Sequence, residues 1–239
     1  MTADIVTLPR QEFLEHYWDY RAGEHVTFLG PTGSGKTHLK WQLLSYTATP
    51  EVPATVLATK PKDATTKRWS KTLGYATTRT WPPVPNPVRR MFHGKPRGRV
   101  LWPAHTFDPD RDDANHYRQF STYLRDAYKR GNQIVDVDEM LDMVDLDLER
   151  ECRTLWTRGR SMGAGLWAGT QQPFHIPTHA YRQCEHLFIA KDPDRRSQQR
   201  YDEIGGFDPG LLRSWVMSLD KHQFLYARRS GPVVCVVDK

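Results

Sequence analysis

The chemistry that the sequence can support begins in a glycine-rich run of eight residues. This run is Gly30-Pro31-Thr32-Gly33-Ser34-Gly35-Lys36-Thr37. It fits the phosphate-binding pattern G-x-x-x-x-G-K-[ST] at every fixed position. Glycine lets the backbone curl so that N–H groups point inward, and the N-terminus of the helix that follows favours an anion. In this pattern Lys36 contacts the β- and γ-phosphates and Thr37 binds Mg²⁺. A nucleoside triphosphate and Mg²⁺ are therefore the predicted ligands, with residues 30–37 and His38 as the nucleotide-binding segment.

Two adjacent carboxylates, Asp138 and Glu139, follow an apolar run that begins at Gln133. Hydrolysis of a bound nucleotide needs one group that holds the metal and another that orients the attacking water. We expect Asp138 to share the Mg²⁺ with Thr37, and Glu139 to act as the general base. The alternative is a strand that ends in acidic surface residues. Asp136 interrupts the apolar run on the same face as Asp138, because side chains alternate along a strand, but only Asp138 has the adjacent glutamate.

A polar segment, Thr170-Gln171-Gln172-Pro173, follows another apolar run. If the strand formed by that run lies between the phosphate-loop strand and the strand that ends at Asp138, Gln171 faces the γ-phosphate. An amide in that position can respond to the presence of the γ-phosphate, so Gln171 is a predicted catalytic residue. On its own, a Thr-Gln pair has little specificity.

Strands and helices alternate along the chain, which predicts an α/β fold with a mostly parallel sheet covered by helices on both faces. The predicted strands are 26–29, 55–60, 100–102, 133–139, 165–171 and 186–190, with a terminal hairpin of 223–227 and 233–237. The predicted helices are 38–46, 62–73, 110–130, 145–161, 194–204 and 209–219. The stretch before Gly23 predicts a short helix or hairpin, and the proline-rich stretch 75–99 predicts no long element.

Length and composition predict one globular domain. A chain of 239 residues with 38% hydrophobic residues can form one well-buried core. We assign 1–25 to an N-terminal extension, 26–205 to the core and 206–239 to a C-terminal helix and hairpin. No apolar run approaches the roughly 18 residues of a membrane span and no signal-peptide core is present, so a cytoplasmic location is expected. The three scattered cysteines predict reduced, mostly buried thiols.

The charge balance favours a polyanionic partner. Lysine and arginine number 34 against 28 aspartates and glutamates, which gives a net charge of +6. The most basic loop lies in the proline-rich stretch and contains Arg89, Arg90, Lys95, Arg97 and Arg99. Such a loop is usually solvated, but beside a nucleotide-binding core it is a candidate for contact with nucleic-acid phosphates.

Taken together, the motifs resemble the FtsK/HerA superfamily of P-loop ATPases. The resemblance rests on Gly30–Thr37, on the strand that leads to Asp138-Glu139, and on Arg158–Gly163 followed by Leu166–Pro173. In that superfamily a helix with arginine, a turn of small residues, a strand and T-Q-[R]-P recur in this order. The resemblance covers roughly residues 25 to 205. The chain departs from the superfamily at Gln172, where an arginine is usual, and at Asp136 in the strand.

The resemblance implies a RecA-like (ASCE) P-loop core, a pentameric or hexameric ring, and ATP-driven translocation of double-stranded DNA through the ring. The small size of the chain is most similar to the viral genome-packaging members. This implies a portal or capsid-vertex protein as partner, and the host cytoplasm or a capsid vertex as location. For the basic segment after strand 186–190, the resemblance implies contact with DNA, through Lys191 and Arg195, or with a neighbouring subunit's nucleotide; the alternative is a solvated basic helix start. The candidates for an arginine that acts in trans are Arg160, Arg195, Arg196 and Arg200.

Two other functions fit the phosphate loop. One is a nucleotide-dependent assembly or secretion ATPase, such as the filamentous-phage morphogenesis proteins, which typically continue into a membrane span. DNA stimulation of ATP hydrolysis would separate this function from translocation. The other is a small-molecule kinase, which the sequence disfavours because Asp138, Glu139 and Gln171 suit the activation of water better than the binding of an acceptor.

Overall fold

Ten strands in the described part of the chain form one sheet. The computed structural model describes residues 5–84, 95–204, 207–230 and 233–239. The strands are β1 Thr7–Leu8, β2 Val26–Leu29, β3 Ala54–Leu57, β4 Ala76–Thr78, β5 Gly98–Leu101, β6 Gln133–Val137, β7 Ala164–Thr170, β8 His186–Ala190, β9 Phe224–Arg228 and β10 Val233–Val237. Their order in the sheet is β1-β10-β9-β8-β2-β7-β6-β3-β5-β4. Strand β9 runs antiparallel to β8 and β10, and the other neighbouring pairs are parallel.

The central strands are apolar because both of their faces are covered. Every residue of β2, β3, β6, β7 and β8 is buried, as expected for parallel strands between two layers of helices. The helix Lys36–Thr47 packs Leu39 and Leu43 on one face, and the long helix Pro109–Arg130 packs Phe120 and Leu124 on the other. The predicted sheet with helices on both faces is confirmed.

The remaining helices connect these strands. They are Arg10–Glu12 with a π turn at Phe13–Tyr17, Ala64–Thr72, Met140–Asp145, Glu149–Thr154 with turns at Leu155–Gly159 and Arg160–Met162, His179–Arg182, Arg195–Gln199 with a turn at Arg200–Glu203, and Pro209–Ser218. A separate 3₁₀ turn spans Pro173–His175. Aspartate side chains accept a backbone N–H at the first turn of several helices, which satisfies groups that a helix start leaves unpaired: Asp63, Asp108, Asp194 and Asp208.

Several predicted boundaries are wrong for local reasons. The helix predicted from residue 145 begins at Glu149, because Asp147 has a φ of 56° and separates it from the unpredicted helix Met140–Asp145. The strand predicted for 133–139 ends at Val137, because Glu139 already caps the next helix. Strands β1 and β4 were not predicted, since two or three residues are too few for a period-two pattern.

The basic loop is only partly described. Arg89 and Arg90 lie outside the described residues, whereas Arg97 donates to the backbone oxygens of Leu44 and Ser45 at the end of the helix Lys36–Thr47. Arg97 therefore fixes β5 against that helix, whereas the sequence left open a solvated position or contact with nucleic-acid phosphates. The three cysteines are free and buried, as predicted. Within the described ranges, no helix has both the length and the apolar character needed to cross a bilayer.

Candidate active site at the carboxyl edge of the sheet

The strand order brings the predicted site residues to one edge of the sheet. Strand β7 pairs with β2 on one side and with β6 on the other, all three in parallel. Their carboxyl ends therefore lie side by side, and we call this the carboxyl edge. The phosphate loop leaves β2 here, Asp138 follows β6, and Gln171 follows β7. The condition that the sequence set for Gln171, a strand between the other two, is met.

The phosphate loop has the backbone that its glycines predict. Gly33 and Gly35 have φ angles of 77° and 98°, which side-chain-bearing residues rarely adopt. Gly35 precedes the helix Lys36–Thr47, and no side chain caps that helix. Its first N–H groups are consequently available to an anion. The N–H of Gly30 donates to the carbonyl of Thr170 at 3.3 Å, which joins the start of the loop to β7.

Lys36 lies folded against its own loop. Its Nζ donates to the carbonyl of Gly30 at 2.5 Å and to that of Pro31 at 3.1 Å. The side chain is buried, and burial lowers the pKa of Lys36 to about 8. The loop therefore holds one cation at its centre, where the pattern predicts the β- and γ-phosphates.

Thr37 and Asp138, the two residues predicted to hold Mg²⁺, contact each other. The Thr37 Oγ1 donates to Asp138 Oδ1 at 2.8 Å, and Lys60 Nζ lies 3.2 Å from Asp138 Oδ2. Burial would raise the pKa of Asp138, but Lys40 and Lys60 outweigh it and hold that pKa well below its usual range. An ionised carboxylate and a hydroxyl are the hard oxygen ligands that Mg²⁺ prefers, with phosphates and water completing its shell. The residues present thus fit the metal.

A buried lysine beside this pair was not predicted. Lys40 is 1% exposed, and its Nζ lies 3.0 Å from Asp136 Oδ1 and 3.2 Å from Asp138 Oδ1. Burial would lower the pKa of Lys40, but the two carboxylates outweigh it and raise that pKa. Lys40 follows Lys36 by four residues on one helix, so it shares the face that meets the sheet. That spacing is the signal by which the sequence could have identified Lys40. The ion pair with Lys40 explains why an aspartate stands at position 136 of an otherwise apolar strand.

Glu139 is oriented by the end of β7. Its carboxylate accepts the backbone N–H of Gln171 at 3.0 Å, and it also accepts the N–H of Leu141 at 3.5 Å. Burial raises the pKa of Glu139, although these hydrogen bonds oppose the rise. A carboxylate with a raised pKa at the mouth of the phosphate loop has the placement that a general base requires.

Gln171 joins the loop to the acidic strand end. Its Oε1 accepts the hydroxyl hydrogen of Thr32, a residue of the phosphate loop, while its backbone N–H binds Glu139. Gln172, which stands where an arginine is usual, is exposed. The side chain of Gln171 therefore lies beside the loop, and its role at the γ-phosphate stays a prediction.

The candidate arginines are distributed over both edges of the sheet. Arg160 is exposed in the turn before β7, at the opposite edge, beside a cavity of about 610 Å³ that Asp19, Glu24 and Arg228 help to line. Arg195 and Arg196 are exposed in the helix that follows β8 at the carboxyl edge. The roles predicted for these arginines stay predictions.

Arg200 is not a free arginine. Its guanidinium donates to the carbonyls of Pro173, Phe174 and Ile176 at 3.0–3.2 Å and pairs with Glu203. These bonds fix the segment that follows Gln171 and Gln172. Arg200 is thereby removed from the candidates for an arginine that acts in trans, because its donors are occupied within its own chain.

Two further contacts at the loop concern histidines. His38, predicted to contact nucleotide, packs edge-on against Trp69 with ring centroids 5.3 Å apart. His222 donates from Nδ1 to the carbonyl of Ser34 at 3.2 Å, and Arg10 Nη2 donates to the carbonyl of His222 at 2.7 Å. The sequence carries no signal for this link, since the residues come from opposite ends of the chain.

No protein-family model and no curated protein sequence matches the chain. Several solved structures do match it. The DNA-packaging ATPase from Sulfolobus Turreted Icosahedral Virus matches with a TM-score of 0.62 at 12% identity, over 92% of this chain and 98% of that one. VirB4 of Thermoanaerobacter pseudethanolicus matches with a TM-score of 0.63 at 10% identity, over 90% and 88%. The fold is that of the RecA-like P-loop ATPases.

A third structure shares this RecA-like fold. The cytoplasmic domain of the Thermomonospora curvata type VII secretion ATPase EccC matches with a TM-score of 0.53 at 18% identity, over 94% of this chain and 26% of that chain. The predicted fold class, an α/β P-loop fold with a mostly parallel sheet, is therefore confirmed.

Proposed function

We propose that the protein is an ATPase that moves double-stranded DNA, acting as a homo-oligomeric ring in viral genome packaging. The observation that carries this proposal is the convergence of Lys36, Thr37, Asp138, Glu139 and Gln171 at one edge of the sheet. The fold shared with a viral DNA-packaging ATPase supports it.

The site residues would divide the chemistry among them. The free N–H groups of the loop and Lys36 bind the phosphates of ATP, and Thr37 and Asp138 hold Mg²⁺. The metal supplies charge neutralisation on the phosphate oxygens. Glu139 orients the attacking water and accepts its proton, because its carboxylate lies at the loop and its pKa is raised by burial. Gln171, bonded to Thr32, responds to the γ-phosphate.

Contact with DNA would be through phosphates. The net charge is +6, and Lys191, Arg195 and Arg196 are exposed together at the carboxyl edge beside β8. Phosphate contacts carry no base information, so translocation is expected to be indifferent to sequence and weakened by salt. The ring, pentameric or hexameric, would bring an arginine from one subunit to the nucleotide of the next.

The test is ATP hydrolysis with and without double-stranded DNA, at two salt concentrations. Stimulation by DNA that falls with salt, in wild type but not in the Lys36→Ala variant, supports translocation. Electron microscopy with DNA and a non-hydrolysable nucleotide would then reveal a ring with density in its hole. Hydrolysis that ignores DNA of every length, together with no ring under these conditions, would overturn the proposal.

A second candidate is a secretion or assembly ATPase. The fold shared with the type VII secretion ATPase EccC favours it. The same assay separates the two, because this candidate predicts indifference to DNA and an increase in hydrolysis when a protein partner is added.

A further inference from the structure

One lysine lies between two carboxylates under the proposed metal site. Lys40 is 1% exposed and Asp136 is 2% exposed, and Nζ lies 3.0 Å from Asp136 Oδ1 and 3.2 Å from Asp138 Oδ1. Asp136 and Asp138 share a face of the β6 segment because side chains alternate along a strand. Asp138 is the predicted metal ligand, whereas Asp136 is too deeply buried to reach a ligand.

The charges explain why a second carboxylate is present. A buried ammonium next to Asp138 alone would neutralise the carboxylate that the metal needs, because charges attract strongly where water is excluded. Asp136 supplies the balancing negative charge at the shorter of the two distances. Because Asp136 balances Lys40, the negative charge of Asp138 can attract a cation bound between Thr37 and the phosphate loop.

The same lysine connects the phosphate-loop helix to β6. Its Nζ also donates to the carbonyl of Val137 at 3.1 Å, so it contacts three consecutive residues of that segment. Gly169 on the neighbouring strand provides the space for this lysine. A Cβ at that position would lie 3.6 Å from Lys40 Nζ and would collide with the carbonyl oxygen of Asp138. Thr37 and Lys40 belong to one helix, so this connection joins that helix to the segment that carries Asp138.

We propose that Asp136 is a positioning residue for the metal site: it balances the charge of Lys40, so that Asp138 keeps its own charge for the divalent cation. This inference rests on the proposed function, because it assumes a Mg²⁺–nucleotide complex at the loop. It concerns the affinity for the cation and adds no step to hydrolysis.

The test measures binding of a fluorescent ADP as a function of Mg²⁺ concentration, without turnover. In Asp136→Asn, Lys40 is left with Asp138 as its only carboxylate, and the Mg²⁺ midpoint should rise by on the order of tenfold. The double variant Lys40→Met/Asp136→Asn removes both charges and leaves none buried without a partner. Its midpoint should return to within about threefold of wild type.

Asp142→Asn is the matched control. Asp142 is a carboxylate at the same edge that accepts the hydroxyl hydrogen of Thr59 and does not contact Lys40. Its removal should leave the Mg²⁺ midpoint within about twofold of wild type, since a long-range field effect through partly exposed surface is small. Thermal unfolding of every variant records any loss of fold. If Asp136→Asn does not fold, the double variant decides.

Two results would overturn the inference: an unchanged Mg²⁺ midpoint in Asp136→Asn, or a double variant with a midpoint raised tenfold. Failure of the proposed function looks different. In that case nucleotide binding by the wild type would itself be independent of Mg²⁺, and Asp138→Ala would bind as wild type does.

Discussion

The backbone N–H of Gln171 donates to the carboxylate of Glu139 at 3.0 Å. This bond joins the ends of two neighbouring strands, β7 and β6. Glu139 is thus oriented by the main chain of Gln171, whereas the side chain of Gln171 turns to Thr32 in the phosphate loop. A change of the Glu139 side chain and a change of the Gln171 side chain should therefore have different effects on the ATPase reaction.

Glu139→Gln should abolish hydrolysis while nucleotide still binds. The amide cannot accept the proton of the attacking water, and loss of a general base costs about 10²–10⁴-fold in rate. Single-turnover hydrolysis and the affinity for ATP are the measurements. Glu149→Gln, at an exposed position, is the control and should hydrolyse at the wild-type rate. Wild-type turnover by Glu139→Gln would mean that the base lies elsewhere.

Gln171→Ala should weaken the preference of the site for ATP over ADP. The main-chain bond to Glu139 survives the change, so the base keeps its orientation, but the contact between β7 and Thr32 is lost. We expect the preference for a non-hydrolysable ATP analogue over ADP to fall by about tenfold, the equivalent of one hydrogen bond to a charged group. Competition binding measures this, with Gln172→Ala as the control. Equal loss of affinity for both nucleotides would contradict a role specific to the γ-phosphate.

Arg160 should act in trans. In the described residues its guanidinium forms no hydrogen bond or ion pair, and it lies at the edge opposite the phosphate loop. A head-to-tail ring places one surface of a subunit against a different surface of the next. Arg160→Ala should therefore lose about 10³-fold or more in hydrolysis, the usual contribution of an arginine finger.

Subunit mixing tests this assignment. Lys36→Ala has an intact Arg160, and Arg160→Ala has an intact phosphate loop, so a mixture of the two inactive proteins should regain hydrolysis. Lys36→Ala mixed with Glu139→Gln should stay inactive, because both changes disable the site that each subunit carries. A mixture with Arg160→Ala that stays equally inactive would exclude action in trans.

Arg200→Ala should destabilise the chain, unlike Arg195→Ala. Arg200 donates to the carbonyls of Pro173, Phe174 and Ile176, which would be left without these partners. The free energy of unfolding should fall by about 1–3 kcal/mol in urea titrations. Arg195→Ala, at an exposed position, should leave it within about 0.5 kcal/mol of wild type. Equal stability of the two variants would contradict the structural role of Arg200.

Stability should fall with acid through His25. Its Nδ1 accepts the N–H of Leu166 at 3.0 Å, and burial lowers its pKa from 6.5 to about 4. Below pH 6.5 the unfolded chain therefore takes up a proton that the folded chain refuses, and the folded state loses stability as pH falls toward 4. Between pH 7 and pH 5 the loss should be about 2 kcal/mol. In His25→Gln, the difference in the free energy of unfolding between pH 7 and pH 5, measured by urea titration, should be smaller than in wild type by this amount.

The parts of the site that depend on local sequence were predictable. The phosphate loop is defined by its own glycines, and Asp138 and Gln171 directly follow apolar strands, so the topology of parallel strands brought them together. The four-residue spacing from Lys36 places Lys40 on the face of the helix that meets the sheet, but the contacts of Lys40 with Asp136 and of Arg10 with His222 were not predictable. They depend on which surfaces of distant elements meet, and no short-range pattern encodes that.

The wrong boundaries have the same origin. Hydrophobic periodicity located the helix Pro109–Arg130 to within one residue because its buried side is long and regular. It began the next helix at residue 145 instead of Glu149 and missed the helix Met140–Asp145, because one residue with a positive φ at Asp147 leaves the periodic pattern almost unchanged. The resemblance made Arg200 a candidate to act in trans, because the carbonyls that it binds come from a segment more than twenty residues earlier and leave no local signal.

The place of β2 in the sheet bears on how the protein is made. Its two partners are β7 and β8, which begin at Ala164 and His186, so the strand before the phosphate loop has no neighbour while the first two thirds of the chain are synthesised. Such non-local pairing is slow and leaves apolar edges open during translation. The ability to bind nucleotide should accordingly arise only after β7 and β8 have been synthesised.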